Sequence, residues 1–273
     1  MGRRMKIVTT VFDYDRTHFD YQQLYQVFLS SCRKHMPDVE IVTLDLDVPM
    51  QKDDRKPGLW INTCKLRAQV EYLEHVDDDV VFCDCDMLCL KSNEDVWNMP
   101  FDIGYTEKPE WKKTRCRLNG GVVFVRNTER AHAWMRKLLE INDRMYYDFL
   151  FHKQWRVKYF GMNQSAMGYM IEMHPEIADV VSLPTQVWNA VDCDWQYVNE
   201  DTRFVHIKGK LRHCVFLREG YPWMYDILKE WSSYTDRKGI TVSEKMPWDI
   251  KKEQMKTQKK KRVRGFNYRR MRI

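Results

Sequence analysis

The sequence predicts an α/β protein whose sheet is mixed, mainly parallel and flanked by helices. The first observation is the alternation of strand and helix patterns along the first third of the 273 residues. Apolar runs are expected as strands at residues 5–12, 39–46 and 79–90, and helical patterns separate them at residues 19–35 and 57–76. Because helices connect successive strands, the strands are expected to run parallel with helices on both faces of the sheet.

The second observation is the spacing of apolar residues in those two helices. The residues expected to face the core are Leu24, Val27 and Phe28 in the first helix and Leu66, Val70 and Leu73 in the second. The first helix ends in basic residues, which suit the C-terminal end of a helix, and the second opens with a turn at Pro57.

The rest of the chain continues the α/β pattern without an internal repeat. Further strands are predicted at residues 101–106, 120–127, 180–184 and 203–209, and further helices at residues 128–145, 163–173 and 223–234. No stretch rich in Pro, Gly or Ser interrupts the chain before about residue 240. The sequence therefore predicts a single domain over residues 1–250, followed by a tail over residues 251–273.

Charge separates this tail from the body. Residues 251–273 hold eleven Lys or Arg and one Glu, which gives the tail a charge of +10 and, from the total of +6, leaves the body near −4. Such a tail could bind nucleic acid through its phosphates, lie on an anionic membrane or remain a disordered, solubilising segment. Its Phe266 and Tyr268 fit stacking on bases or burial in an interface.

Composition indicates a cytoplasmic globular protein. No apolar run approaches the roughly 18 to 20 residues that span a bilayer, and the opening MGRRMKIVTT lacks the apolar segment and cleavage site of a signal peptide. Several of the eight cysteines lie in strand-like, apolar surroundings, which fits free thiols in a reducing compartment. The stretch CDCDMLC lacks the paired spacing of zinc-binding cysteines, so a zinc site is not expected.

Asp84 and Asp86 are the first candidate functional residues, because they follow the apolar run 80–83. Two residues apart on a strand, they would point to the same side with Cα atoms about 6.6 Å apart. Buried carboxylates are costly without a positive partner, and two of them repel each other. Carboxylates at the end of a parallel strand suit Mg²⁺ or Mn²⁺ bound together with a phosphate-bearing substrate.

A second pair of aspartates supplies an alternative. VFDYDRT, with Asp13, Asp15 and Thr17, resembles the first motif of haloacid-dehalogenase-type phosphatases, in which the first aspartate is the nucleophile. The chain has no GD dipeptide and no convincing acidic pair at a later strand end to hold the metal. This phosphatase interpretation therefore stays the alternative.

Five segments in order resemble glycosyltransferases of the GT-A fold, a Rossmann-like α/β fold. VVFCDCDMLCL is similar to their metal-binding D-x-D segment, WINTCKLRAQVEYL to a helix presenting basic residues to the donor diphosphate, and RLNGGVVFVRN to a strand lining the donor-sugar pocket. GMNQSAM resembles a helix start beside the sugar, and FVHIKGKLR resembles the H-x-x-G-x-x-K segment of glycosyltransferase family 8, the glycogenin and bacterial galactosyltransferase relatives. The resemblance covers about residues 5 to 215.

The resemblance implies a role for each matching residue. The metal ligands would be Asp84, Asp86 and His206. The donor would contact Thr9, Thr10, Phe12, Lys65, Arg67, Asp84, Cys85, Asn119, Gly120, Gly121, Asn189, Gly209, Lys210 and Arg212. Arg212 stands where family 8 has lysine, and an arginine can hold a phosphate with two hydrogen bonds. Asn163 and Gln164 would face the sugar.

The implied activity is metal-dependent transfer of a sugar from a nucleotide-diphosphate donor, UDP-sugar being expected, to an acceptor hydroxyl. Gln164 favours retention of configuration, and Asp192 and Asp194 are the candidate bases if the reaction inverts. The acceptor is left open among a glycan, a small molecule, a protein and a nucleic acid. Simpler interpretations also stay open: His206 as a core histidine, Lys65 and Arg67 as a solvated helix face, and the chain as a non-catalytic module that binds polyanions through its tail.

Overall fold

A computed structural model describes residues 4–11, 21–46, 57–109, 116–191, 194–236, 239–246 and 249. The chain divides after Gly209 into two compact units. The predicted domain boundary at residue 250 and the basic tail, with Phe266 and Tyr268, lie outside the described residues, so both stay predictions. Asp13, Asp15 and Thr17 also lie outside them.

The first unit is built on a six-stranded sheet. Its strands are β1 (Met5–Val11), β2 (Glu40–Asp45), β3 (Asp79–Asp84), β5 (Ile103–Glu107), β6 (Leu118–Val125) and β7 (Val180–Pro184), with the short strands β4 (Met87–Cys89) and β8 (Phe204–His206) in a separate pair. The order is β2-β1-β3-β6-β5-β7. Neighbours are parallel except on both sides of β6, which runs antiparallel to β3 and β5. The predicted mixed, mainly parallel α/β sheet is confirmed.

Helices connect these strands. They are α1 (Tyr21–His35), α2 (Pro57–Leu73), α3 (Glu129–Tyr147), α4 (Phe149–Arg156), α5 (Asn163–Met173) and α6 (Thr185–Trp188). Thr128 caps α3 by accepting a hydrogen bond from the Ala131 N–H, and Asp148 caps α4 by accepting one from the Phe151 N–H. Pro57, where a turn was expected, is the first described residue of α2, a position that suits a residue with a fixed φ and no N–H.

The second unit is described from α7 (Lys210–Leu217), β9 (Glu219–Gly220), α8 (Tyr225–Ser233) and β10 (Thr241–Val242). β9 and β10 pair in parallel. α8 buries Ile227, Leu228 and Trp231, which are spaced at helical intervals. The sequence predicted α8 but not α7, which begins just after the strand expected at residues 203–209.

The third predicted strand, residues 79–90, proves to be two strands. β3 stays in the main sheet, while β4 leaves it and pairs antiparallel with β8, with Met87 opposite His206. Apolar runs on both sides of Asp84 hide this break, because β4 is buried as fully as β3. The turn between them is what brings a distant segment of the chain beside the two aspartates.

Alternating side chains of the sheet divide the core into two layers. Val8, Val80 and Phe82 point to the layer that α2, α3 and α5 cover, and their neighbours Ile7 and Val81 point to the layer that α1 covers. The core residues predicted for α1 and α2 are buried as expected: Leu24, Val27, Phe28, Leu66, Val70 and Leu73.

Among the described residues, no helix is both long enough and apolar enough to cross a membrane. The seven described cysteines are free thiols. Burial raises the pKa of Cys32 and of Cys83, so these two thiols behave as core residues. The cytoplasmic location stays a prediction.

Two helical glycines give a test of the packing of α5. A Cβ on Gly168 would overlap the ring of buried Tyr159, whereas a Cβ on Gly58 of α2 meets no described atom within 4 Å. We expect Gly168→Ala to lower the free energy of unfolding by about 1–3 kcal/mol through overpacking. Gly58→Ala is the matched control and should change it by at most about 1 kcal/mol, towards greater stability. Urea denaturation measures both, and equal effects would contradict the packing of Tyr159 on α5.

Candidate functional site

Three predicted ligands converge on one point of the first unit. Asp84 is the last residue of β3, Asp86 lies in the turn before β4, and His206 ends β8. One ligand atom from each lies within 4.8 Å of the others. The His206 Nε2 is 3.2 Å from the Asp86 Oδ1 and 3.6 Å from the Asp84 Oδ2. Two carboxylates and an imidazole at this separation can hold a divalent cation.

The backbone holds this convergence across 120 residues of chain. The Ile207 N–H donates to the Asp86 carbonyl over 2.7 Å, and the His206 N–H donates to the Ala190 carbonyl over 2.8 Å. Asp86 was expected on the same strand as Asp84, but it belongs to the turn. The aspartates meet because the turn is fixed by β8, and strand alternation does not explain their approach.

Lys65 supplies positive charge to the aspartates. Its Nζ lies 2.5 Å from the Asp84 Oδ1, and its side chain is only 13% exposed. Burial disfavours the ammonium form, but the charge of Asp84 and the hydrogen bond to it outweigh that cost, and Asp86 adds to them, so the pKa of Lys65 lies above its ordinary value. Asp84 therefore uses one oxygen for Lys65 and directs the other towards His206.

His206 is oriented by a buried amide. Its Nδ1 lies 3.2 Å from the Asn189 Oδ1. The Asn189 Nδ2 donates to the Thr106 Oγ1 over 2.8 Å and to the Asn119 Oδ1 over 3.0 Å. All four side chains are at least 96% buried. These contacts link β5 and β6 of the main sheet to the end of β8.

The donor and the acceptor of each hydrogen bond in this buried network can be assigned. The Thr106 hydroxyl donates to the Asn119 carbonyl, and the Asn119 Oδ1 already accepts from the Gly121 N–H, so both offer only acceptors to Asn189. The Asn189 NH₂ must face them and its oxygen must face His206. The His206 Nδ1 therefore carries a proton, and the Nε2, which faces the aspartates, is the ring nitrogen left to ligate a metal. This is the arrangement that a metal-ligating histidine requires.

Gly121 allows His206 to occupy this position. A Cβ on Gly121 would lie 2.5 Å from the His206 Nδ1, closer than real contacts allow, whereas a Cβ on neighbouring Gly120 would meet no described atom within 4 Å. Both glycines were predicted to line the sugar pocket. In the structure Gly121 packs against the histidine, and only Gly120 faces open space.

The end of β1 lies beside the cluster. Thr10 pairs in register with Asp84, and Thr9 pairs with Cys83. Both threonines are buried, and the Thr9 Oγ1 has no hydrogen-bond partner among the described residues. Cys85, between the two aspartates, is also buried. Phe12, the third residue predicted to contact the nucleotide, lies outside the described residues.

The two basic residues predicted on α2 diverge. Lys65 contacts Asp84, but the Arg67 Nη2 donates to the Asp143 Oδ1 of α3 over 3.0 Å, and its guanidinium lies 5.3 Å from the centre of the Trp60 ring. Residues two apart on a helix point in nearly opposite directions. The structure therefore brings only Lys65 to the aspartates.

The predicted polar pair stands at the start of α5. The Asn163 Nδ2 donates to the Asn62 carbonyl of α2 over 3.1 Å, which ties the two helices together. Gln164 lies against Gly161, whose φ of +122° a residue with a side chain would rarely adopt. The contacts that place the two residues are therefore with α2 and with Gly161.

The remaining predicted residues are distributed as follows. Asp194 is 1% exposed, and its Oδ2 accepts a hydrogen bond from the Val191 N–H over 3.4 Å. Gly209 has a φ of +59°, in the region that favours glycine. Arg212 lies in the second unit on α7. Asp192 and the side chain of Lys210 lie outside what the structure describes.

Thr106 is the residue of this site that sequence reasoning missed. It lies within the strand predicted at residues 101–106 and carries no motif. Its importance follows from the pairing of β5 with β6, which places it opposite Asn119, where the register of these strands shifts. A register shift of this kind leaves no signal in a single sequence.

Removal of the Asn189 amide tests the orientation of His206. We expect Asn189→Ala to weaken Mn²⁺ binding, measured by calorimetry without nucleotide, by about 10- to 100-fold, because the Nδ1 proton loses its acceptor. Asn142→Ala is the control: Asn142 is equally buried and hydrogen-bonded, to Thr63. Both variants should lose stability, by about 1–3 kcal/mol, but only the first should lose metal affinity. Equal affinities would contradict the role of Asn189.

Comparison with known proteins identifies the fold that this chain shares with solved structures. No protein-family model and no curated protein sequence matches the chain. Among solved structures, the galactosyltransferase LgtC in complex with donor and acceptor sugar analogs has a TM-score of 0.53 at 13% identity, over 86% of this chain and 98% of LgtC. A glycosyltransferase involved in glycosylation of the major capsid of PBCV-1 has a TM-score of 0.51 at 11% identity, over 77% of this chain and 96% of that one. The chain therefore has the GT-A fold of these glycosyltransferases.

Proposed function

We propose that the protein is a metal-dependent glycosyltransferase that moves a sugar from a nucleoside-diphosphate donor, UDP-sugar, to an acceptor hydroxyl. The observation that carries this proposal is the Asp84–Asp86–His206 cluster, in which Asn189 directs the His206 Nε2 towards both carboxylates. The GT-A fold supports it, because the solved structures of that fold named above are glycosyltransferases.

The three candidate metal ligands suit Mn²⁺ or Mg²⁺. Carboxylate oxygens suit either ion, and the imidazole nitrogen favours Mn²⁺ over Mg²⁺. When bound, the metal would neutralise charge on the diphosphate leaving group and so act as a Lewis acid. Asp84, Asp86 and His206 would hold it through one atom each, which leaves further coordination positions for phosphate oxygens and water.

Around the diphosphate, the chain itself contributes charge and space. Lys65 keeps its proton beside Asp84, so its ammonium group adds positive charge where the leaving group develops negative charge. Gly209 follows β8 closely and has the backbone conformation of a turn that can approach a phosphate. Lys210 and Arg212 would add charge from the start of α7, and Thr9 and Thr10 would meet the nucleotide at the end of β1.

At the sugar end, Asn119 and Gly121 would have a supporting role. Their hydrogen bonds and packing hold Asn189 and His206, so Gly120 becomes the residue of that segment that faces the donor. We propose retention of configuration, with Gln164 and Asn163 beside the sugar. If the reaction inverts, Asp192 is the better base, because the buried Asp194 carboxylate faces the Val191 N–H.

Metal-dependent nucleotide binding is the first expected consequence. UDP should bind in the presence of Mn²⁺, and its affinity should fall at least about 10-fold in excess chelator, because without the metal the diphosphate would face two carboxylates whose charge the single ammonium group of Lys65 offsets only in part. Calorimetry measures both affinities, and Mg²⁺ in place of Mn²⁺ compares the two ions. Equal UDP affinity with and without metal would overturn the proposal.

Substitution of single aspartates separates the proposal from the phosphatase alternative. Asp86→Ala should lower sugar transfer by at least about 100-fold, while Asp13→Ala should leave much of it. Release of UDP from a panel of UDP-sugars measures transfer, and a thermal unfolding transition shows whether each variant folds. Loss of activity in Asp13→Ala alone, together with hydrolysis of a phosphate monoester by the unsubstituted protein, would favour the phosphatase.

A further inference from the structure

One face of α4 exposes large apolar side chains to solvent. We define the α4 surface as Phe149, Leu150, Lys153, Gln154 and Val157, which recur at helical spacing over α4 and its C-terminal cap. Phe149 is 51% exposed, Leu150 68% and Val157 62%. Isolated exposed apolar residues are common, but three on one face of a two-turn helix form a patch that calls for an occupant.

The opposite face of α4 shows that this exposure is not the result of a loosely attached helix. The rings of Phe151 and Trp155 pack against Tyr169 of α5 with centroids 5.3 and 4.9 Å apart. His152 is buried and lies 3.1 Å from the Gly161 carbonyl. These contacts fix the rotation of the helix, so its second apolar face must point outwards.

Exposed aromatic residues extend the α4 surface at both ends. Tyr147, the last residue of α3, is 68% exposed, and Phe160, just beyond α4, is 46% exposed. Aromatic side chains with a wet and an apolar side favour the interfacial region of membranes.

Three cations on or next to α4 have no carboxylate partner among the described residues: Arg144, Lys153 and Arg156, of which Lys153 belongs to the α4 surface itself. The Arg144 guanidinium lies 4.1 Å from the centre of the Phe151 ring, and that of Arg156 lies 4.7 Å from Phe160. Asp148, the nearest acid in sequence, accepts a hydrogen bond as the cap of α4. As a cap, Asp148 keeps its negative charge, so the region combines apolar side chains with three cations and one acid, a net positive charge.

We propose that the α4 surface docks onto an anionic lipid bilayer. Exposed Phe, Leu and Val beside Lys and Arg are the composition of helices that lie in the membrane interface. The basic tail of this chain would be repelled by the same cations. A second copy docked about a two-fold axis would place like charges against each other across a small area. This proposal does not depend on the sugar-transfer reaction.

Vesicle co-sedimentation of the full-length chain tests this proposal. Phosphatidylcholine vesicles with and without phosphatidylglycerol are compared, at low salt and at high salt, because high salt screens the cations of the tail and of the α4 region and leaves the apolar contacts of the α4 surface. We expect binding to require phosphatidylglycerol at low salt, and Leu150→Ser to weaken binding at least tenfold under both conditions. Leu217→Ser, which replaces a 57% exposed leucine of α7, is the matched control and should bind as the unsubstituted protein does. Equal behaviour of the two variants would overturn the proposal.

A second measurement locates the surface in the bilayer directly. Leu150→Trp should gain fluorescence quenching by brominated phospholipids relative to the unsubstituted protein, and Leu217→Trp should not. Absence of that extra quenching would overturn the proposal even if sedimentation changed. Sedimentation velocity without vesicles tests whether a second copy of the chain occupies the α4 surface instead. A dimer that Leu150→Ser converts to monomer would assign the surface to that second copy and overturn the proposal.

Discussion

The repulsion between two neighbouring carboxylates is the constraint on which the candidate site depends. Asp84 and Asp86 stand where a buried strand ends, and each needs a positive or proton-donating partner. Lys65 from α2 meets the first, and the metal-ligating nitrogen of His206 from β8 lies beside both. The partners come from segments far apart in sequence, so the charge balance of this one point ties α2, β3 and β8 together. A divalent cation would complete that balance.

The orientation of His206 shows how the main sheet controls this site without contacting a metal. The antiparallel pairing of β5 and β6 sets Thr106 beside Asn119, and their fixed donors and acceptors leave Asn189 a single orientation. The protonation pattern of the imidazole is thus set by backbone groups of the sheet. The burial of this hydrogen-bond network matters, because water would compete with Thr106 and Asn119 for the Asn189 amide, and an amide without these partners would be free to turn.

Much of the fold was predictable, since periodicity alone separates helices from strands and Asp84 interrupts an apolar run conspicuously. The turn at Asp86 was not, because β4 is as apolar as β3 and local sequence does not say which sheet a strand joins. α4 was missed because apolar residues on both of its faces blur the helical period. Thr106 had no signal, as its role arises from strand register. Asp13 and the basic tail lie outside the described residues, so their roles remain predictions from the sequence.

The contact between Gly121 and His206 bears on how relatives of this chain are to be recognised. The imidazole occupies the space where any other residue at position 121 would place its Cβ. A homologue could therefore keep both aspartates and the histidine, and still have the histidine ring displaced by a single methyl group on β6. Ligand residues alone are a poor criterion for an intact metal site in such sequences. The glycine that makes room for the histidine is the more discriminating position to inspect.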